Sequence, residues 1–124
     1  MDKQKIDQLA KGLLFMSETD APLIYHEIAV EAAKHWPFAA DVQFLELIGE
    51  RDKRIEPIPP EEFFKQLEVG NDEKSDQIAA LRNAIFEELQ DIKCYRVGEI
   101  QIDIYLLGRA KDKVCGLRTL SVET

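Results

Sequence analysis

The two histidines are the first residues to consider for catalysis, because a hydrolase needs a nucleophile with a nearby base. His26 and His35 are the only histidines, and no Gly-x-Ser-x-Gly elbow accompanies them. His26 and Glu27 open like a zinc-protease helix, but Val30 stands where the second zinc-binding histidine is required. A metal site formed by His26 and Glu31 remains an alternative. Catalysis therefore has little support.

Carboxylates and hydroxyls cluster in the segment 17–20, where Ser17, Glu18, Thr19 and Asp20 directly follow an apolar run, 13–16. One interpretation is a turn in which Ser17 or Asp20 bonds the local backbone. The other is an exposed acidic finger whose position is set by the apolar run packed behind it. The residues alone favour the turn.

A second cluster of oxygens lies at the end of the chain. Glu123 and Thr124 bring a side-chain carboxylate, a hydroxyl and a terminal carboxylate within two residues. Such hard oxygens are what Mg²⁺ prefers. A frayed terminus is the alternative, although a predicted strand leads almost to the last residue. Further along the middle of the chain, Asp72, Glu73 and Asp76 form an acidic stretch whose simplest interpretation is solvated charge.

The overall charge is strongly negative. Sixteen Lys and Arg against 24 Asp and Glu give −8 over 124 residues. This argues against direct nucleic-acid binding, which needs clustered cations, and suits either a basic protein partner or solubility alone. No apolar run reaches membrane-spanning length, and the first residues lack the order of a signal peptide. We therefore expect a cytoplasmic protein in which Cys94 and Cys115 are reduced and buried.

Hydrophobic periodicity indicates one α+β domain. Apolar residues at helical spacing predict helices over 2–14 and 76–92, and 29–35 is helix-prone. Pro60 suits the first position of a short helix over 60–67, and Glu61 and Glu62 suit its positive end. The segment 42–48 could be strand or helix. Period-two alternation predicts one strand over 95–107, with Ile100, Ile102, Ile104 and Leu106 on its core face. After a turn at 108–113, a return strand is predicted over 114–122, with Leu120 and Val122 on its core face. An antiparallel hairpin would then form the centre of the sheet.

Three motifs resemble the nuclease A inhibitor family. Leu13-Leu14-Phe15-Met16-Ser17-Glu18 is followed by Pro22, the stretch 95–108 begins Tyr-Arg-Val-Gly-Glu and alternates Ile with Asp, and the chain ends Val-Glu-Thr. The resemblance is close over 13–22 and 95–108, fair over 55–92 and absent over 27–54. It implies a three-layer α/β/α sandwich of the kind found in pathogenesis-related-1-like proteins, with a mixed sheet.

The resemblance also implies a function and its residues. The family blocks sugar-non-specific, metal-dependent nucleases, so this chain is expected to be a proteinaceous inhibitor and not an enzyme. Glu18, with Ser17 and Asp20 beside it, is expected to face the nuclease site. Thr124, with Glu123, is expected to complete the metal shell of the bound nuclease.

Other expectations follow from the same resemblance. Asp72 corresponds to an acidic loop position of the family when Phe63-Phe64 is the anchor, with Glu73 or Asp76 as substitutes. No cofactor and no intrinsic metal are implied, and the free protein is expected to be a monomer. The alternative is a non-catalytic interaction module of the same fold that binds an unrelated partner through residues 27–54. A metal-dependent enzyme using His26 ranks last.

Overall fold

The computed structural model describes residues 1–124. The chain alternates short helices and strands before ending in three long strands. The elements are α1 (Lys3–Ala10), β1 (Leu14–Met16), β2 (Asp20–Pro22), β3 (Ile24–Glu27), α2 (Val30–Ala33), α3 (Asp41–Ile48), β4 (Ile55–Ile58), α4 (Pro60–Glu68), a 3₁₀ turn (Asp72–Lys74), α5 (Ser75–Glu88), β5 (Gln90–Val97), β6 (Gln101–Ala110) and β7 (Lys113–Val122). The predicted α+β class is confirmed.

The strands form one five-stranded sheet and one small hairpin. The sheet order is β3-β7-β6-β5-β4, and β1 pairs only with β2. Every pairing is antiparallel, so the predicted mixed sheet is wrong. Strands β5, β6 and β7 follow one another through tight turns, which join antiparallel neighbours, and β3 and β4 pair antiparallel at the two edges.

The predicted C-terminal hairpin is present as β6 and β7, which pair from Gln101 opposite Val122 to Ala110 opposite Lys113. The strand predicted over 95–107 is instead two strands. Gly98, with φ of 114°, lies in the turn between β5 and β6, a conformation that favours glycine. Ile100 lies in that turn and is 60% exposed, so its predicted core position is wrong.

Helices pack against both faces of the sheet. Ile104 and Leu106 share a buried cluster with residues of α1, α4 and α5, whereas Tyr105 and Leu107 share another with residues of α2 and α3. Successive residues of a strand point to opposite faces, so the two clusters lie on opposite sides of β6. Phe44 of α3 stacks on a sheet tyrosine there and is fully buried.

Several predicted boundaries shift. Helix α1 ends at Ala10 rather than residue 14, because Gly12 has φ of 77° and Leu14 already belongs to β1. Helix α5 ends at Glu88 rather than residue 92, because Leu89 is extended. The segment 42–48, which the sequence left open, is helical within α3. The longest helix, α5, has 14 residues, and none of the helices has the length and apolar character of a membrane span.

The two cysteines are free and buried, as predicted. Cys94, on β5, lies opposite Leu106 of β6, and Cys115, on β7, lies opposite Gly108 of β6. Burial raises the pKa of the Cys94 thiol to about 12. Both side chains therefore belong to the apolar core.

Candidate protein-binding site

The turn after β1 and the end of the chain meet, although 106 positions separate them. The Thr124 hydroxyl donates to both oxygens of the Glu18 carboxylate, at 2.8 and 3.0 Å. Both residues are exposed. The structure therefore brings the two principal residues predicted from sequence into one pair, here called the Glu18–Thr124 pair.

Backbone contacts hold the two segments of this pair together. The Glu18 N–H donates to the Val122 carbonyl at 3.2 Å, and the Val122 N–H donates to the Ser17 hydroxyl oxygen at 2.9 Å. The Ser17 hydroxyl in turn donates to the Thr19 carbonyl at 3.1 Å. Ser17 thus both closes the local turn and joins that turn to β7, because a serine hydroxyl can donate and accept at once.

The apolar run 13–16, which precedes the turn, attaches the turn to the core. Leu13 is 1% exposed and Phe15 is 3% exposed. The Phe15 ring stacks on Phe63 of α4, with centroids 5.7 Å apart. The turn that presents Glu18 is therefore attached to the core within two or three residues, and the expected apolar support is present.

Asp20 lies on the other side of the same hairpin. It begins β2 opposite Met16 and is exposed. Three consecutive exposed residues, 18–20, thus carry two carboxylates. Neither Glu18 nor Asp20 lies in a salt bridge with a cation. The hairpin tip consequently presents uncompensated negative charge.

Glu123 lies next to the pair but makes different contacts. Its carboxylate accepts from Arg96 Nη2 at 2.8 and 2.7 Å and from the Ser121 hydroxyl at 2.8 Å. The hydrogen bond from Arg96 is the main cause that lowers the pKa of Glu123. The carboxylate is therefore ionised and already bonded within the chain.

Asp72 lies in the 3₁₀ turn that follows α4, and its side chain is exposed. The preceding Asn71 is 3% exposed, and its Nδ2 donates to the Leu14 carbonyl at 2.8 Å and to the Leu67 carbonyl at 2.6 Å. This amide ties the acidic loop to β1, the strand that leads to Glu18. Sequence reasoning missed Asn71 because a polar residue in a charged loop gives no sign of burial.

An open cleft adjoins the pair on the side of α4. It has a volume of about 400 Å³. Its lining combines apolar Met16, Ile58 and Val69 with Ser17 and Arg96. Val69 is 64% exposed, one of few large apolar side chains open to solvent. The pair therefore has a surface of mixed polar and apolar character beside it, a combination common in protein interfaces.

His26, the residue of the alternative metal-site hypothesis, lies against an aromatic ring of the sheet. The His26 ring packs edge-on against Tyr105, with centroids 5.2 Å apart. Burial, followed by the nearby Arg118, lowers the pKa of His26. Glu31, its suggested metal-binding companion, bonds Lys34 at 3.1 and 3.2 Å. No group of three or more His, Cys, Asp or Glu side chains is arranged to hold a metal ion.

A comparison with known protein families matches residues 3–124 to the family described as nuclease A inhibitor-like protein. The match spans nearly the whole chain, so this protein belongs to that family. It also includes residues 27–54, where the sequence motifs showed no resemblance. Among curated proteins, none matches the chain.

Proposed function

We propose that this protein binds and inhibits a DNA- and RNA-non-specific, metal-dependent nuclease by placing the Glu18–Thr124 pair in its active site. Family membership supports the general role. The observation that favours this mechanism is the hydrogen bond from Thr124 to Glu18, which joins two distant motifs in one exposed site. The protein itself is proposed to act as a non-catalytic monomer.

The chemistry of the pair suits such a target. A carboxylate on an exposed turn can occupy the place of a substrate phosphate, since both are anionic oxygen groups. The oxygens of Glu18 and Thr124 are hard ligands of the type that Mg²⁺ accepts, so Thr124 is proposed to complete the nuclease's metal shell. Asp20 and Asp72 add negative charge that raises the rate of encounter with a basic groove, most strongly at low salt.

Preorganisation supports tight binding. In the free chain, Ser17 and Val122 already join the two segments, and Phe15 anchors the turn to the core. Ordering a flexible loop on binding commonly reduces affinity, and this preformed turn avoids that cost. We further propose that the helices on both faces of the sheet form the three-layer, pathogenesis-related-1-like sandwich of the family, which acts as the rigid support.

The test is inhibition of a non-specific Mg²⁺-dependent nuclease by the wild type, Glu18→Gln, Thr124→Ala and the double variant. Glu18→Gln keeps the shape of the side chain but removes its charge. Loss of a desolvated charge contact costs roughly 2–5 kcal/mol, or about 30-fold to several thousand-fold in affinity. Glu87→Gln, an exposed residue of α5, is the matched control and should inhibit like the wild type.

Two further arms separate the mechanism from the general role. Removing Mg²⁺ with EDTA should weaken complex formation if Thr124 reaches the metal. A short Gly-Ser extension after Thr124 should also weaken inhibition, whereas the same insertion between Arg51 and Asp52, in the exposed turn between α3 and β4, should not. If all variants of the pair inhibit as strongly as the wild type, the proposed mechanism is refuted. No inhibition by the wild type would favour an interaction module that uses residues 27–54.

A further inference from the structure

Arg96 is a mostly shielded cation beside the Glu18–Thr124 pair. It lies on β5, and its side chain is only 13% exposed. Its Nη2 donates to both oxygens of Glu123, and its Nε lies 3.4 Å from a carboxylate oxygen of Glu56. Charge-assisted contacts of this kind restrict geometry more than neutral ones do. Arg96 thereby joins the end of the chain to β5 and β4.

The contacts of Glu123 replace the strand pairing that ends just before it. Strand β7 ends at Val122, so the last two residues lie beyond the sheet ladder. The Glu123 N–H donates to the Ile100 carbonyl at 2.9 Å, and its carboxylate is held by Arg96 and Ser121. Glu123 is consequently fixed through both its backbone and its side chain, and the next residue is Thr124.

We infer that Arg96 is a positioning residue that acts through Glu123 to set Thr124 against Glu18. This inference rests on the proposed function. It assigns Glu123 a structural role inside the inhibitor in place of direct contact with the nuclease metal, because its carboxylate is already bonded to Arg96 and Ser121. The surface that meets the nuclease is then Glu18 with Thr124, and the Arg96–Glu123 contact determines their geometry.

Substitutions at Glu123 distinguish positioning from direct contact. Glu123→Gln keeps an oxygen that can accept from Arg96 but removes the negative charge that would attract a nuclease metal. For a positioning role, Glu123→Gln should inhibit within about threefold of the wild type, while Glu123→Ala and Arg96→Ala should each weaken inhibition at least tenfold. The loss in the double alanine variant should be clearly smaller than the product of the two single losses, because both substitutions remove the Arg96–Glu123 contact.

The opposite pattern would overturn the inference. If Glu123 contacts the nuclease directly, Glu123→Gln should be as damaging as Glu123→Ala, and Glu123→Ala should add a further loss to Arg96→Ala. The matched control is Arg82→Ala, which breaks another two-bond arginine–carboxylate contact, with Glu61 at 2.6 and 3.1 Å, away from the pair. It should leave inhibition unchanged.

A measurement on the free protein tests the inference independently of any nuclease. In NMR spectra, Arg96→Ala should shift the Thr124 methyl and Glu18 amide signals, while Arg82→Ala should leave both in place. Unchanged signals in Arg96→Ala would overturn the positioning role even if the wild type inhibits well. Shifted signals with a wild type that inhibits no nuclease would refute the proposed function and keep the positioning role.

Discussion

Replacement of Asn71 should destabilise the protein far more than its place in an acidic loop suggests. Its Nδ2 bridges the Leu14 carbonyl of β1 and the Leu67 carbonyl of α4. Carbonyls in the last turn of a helix lack helical partners, so the amide supplies a bond that α4 cannot make for itself. Asn71→Ala removes both bonds at once.

The expected cost can be worked from these contacts. Two hydrogen bonds contribute about 0.5–1.5 kcal/mol each, and a buried group left without a partner costs about 1–3 kcal/mol more. The Asn71 Oδ1 atom is itself buried without a partner, so its removal recovers part of that loss. A net decrease of about 2–4 kcal/mol in the free energy of unfolding follows. For a chain of this size, that corresponds to roughly 8–16 °C in Tm.

Urea unfolding at pH 7 measures the effect, with Asn83→Ala as the control. Asn83 lies on α5 and is exposed, so its replacement should change stability by less than about 0.5 kcal/mol. Asn71→Asp should be at least as damaging as Asn71→Ala, because a carboxylate oxygen then faces two carbonyl oxygens. A stability of Asn71→Ala within 0.5 kcal/mol of the wild type would refute the bridging argument.

Three other predictions concern the sheet. Burial and the nearby Arg118 lower the pKa of His26 in the folded state. The unfolded chain therefore binds more protons below about pH 6.5, and stability should fall as the pH drops through that value. His26→Gln should reduce the change in urea midpoint between pH 7.5 and 5.5, and an unchanged dependence on pH would contradict this prediction. A methyl group at Gly116 would overlap the backbone of β6, so Gly116→Ala should lower the free energy of unfolding in urea by about 3 kcal/mol. An unchanged free energy of unfolding would mean that the hairpin register differs. Ile104→Ala should cost about 2–5 kcal/mol and Phe44→Ala about 3–5 kcal/mol, since each lies in a different core; a mild effect of either in urea unfolding would mean that its face of the sheet is not packed.

Periodicity predicted the core of the sheet but not where the chain reverses. Ile102, Ile104 and Leu106 are buried on one face, as their spacing indicated. Tyr95 and Val97 are out of phase with Ile100, Ile102 and Ile104, so the apolar alternation breaks at Gly98 and Glu99. The prediction treated 95–107 as one continuous run, whereas the positive φ of Gly98 marks the reversal at this break.

The far strand shows the same limit. Leu120 was expected on the core face of β7, but Thr119 and Ser121 are the buried residues there and Leu120 is half-buried on the opposite face. Thr119 can be buried because its hydroxyl donates to the Pro22 carbonyl at 3.0 Å. A polar residue can be buried where it has a hydrogen-bond partner. The partner of Thr119 lies 97 positions away in the sequence, so a local pattern cannot predict its burial.

The candidate site was predicted in parts that the sequence could not assemble. Resemblance selected Glu18 and Thr124 separately, and only the topology, which places the turn after β1 beside the end of β7, shows that they touch. Arg96 was overlooked because its partner Glu123 lies 27 positions along the chain on the far side of β6. Contacts of this range depend on strand register, which a local pattern does not encode.

Register also explains why the site tolerates little change in the hairpin that supports it. Gln101 pairs with Val122 at the last position of the β6–β7 ladder, and Thr124 lies two residues further. A slip of one residue would move Thr124 by about 3.3 Å and send its side chain toward the opposite face. A hydrogen bond of 2.8 Å to Glu18 cannot survive such a shift. The exposed pair therefore depends on the register of the buried strands as well as on the Arg96–Glu123 contact, so a change at Gly116, deep in the hairpin, should also weaken the proposed inhibition.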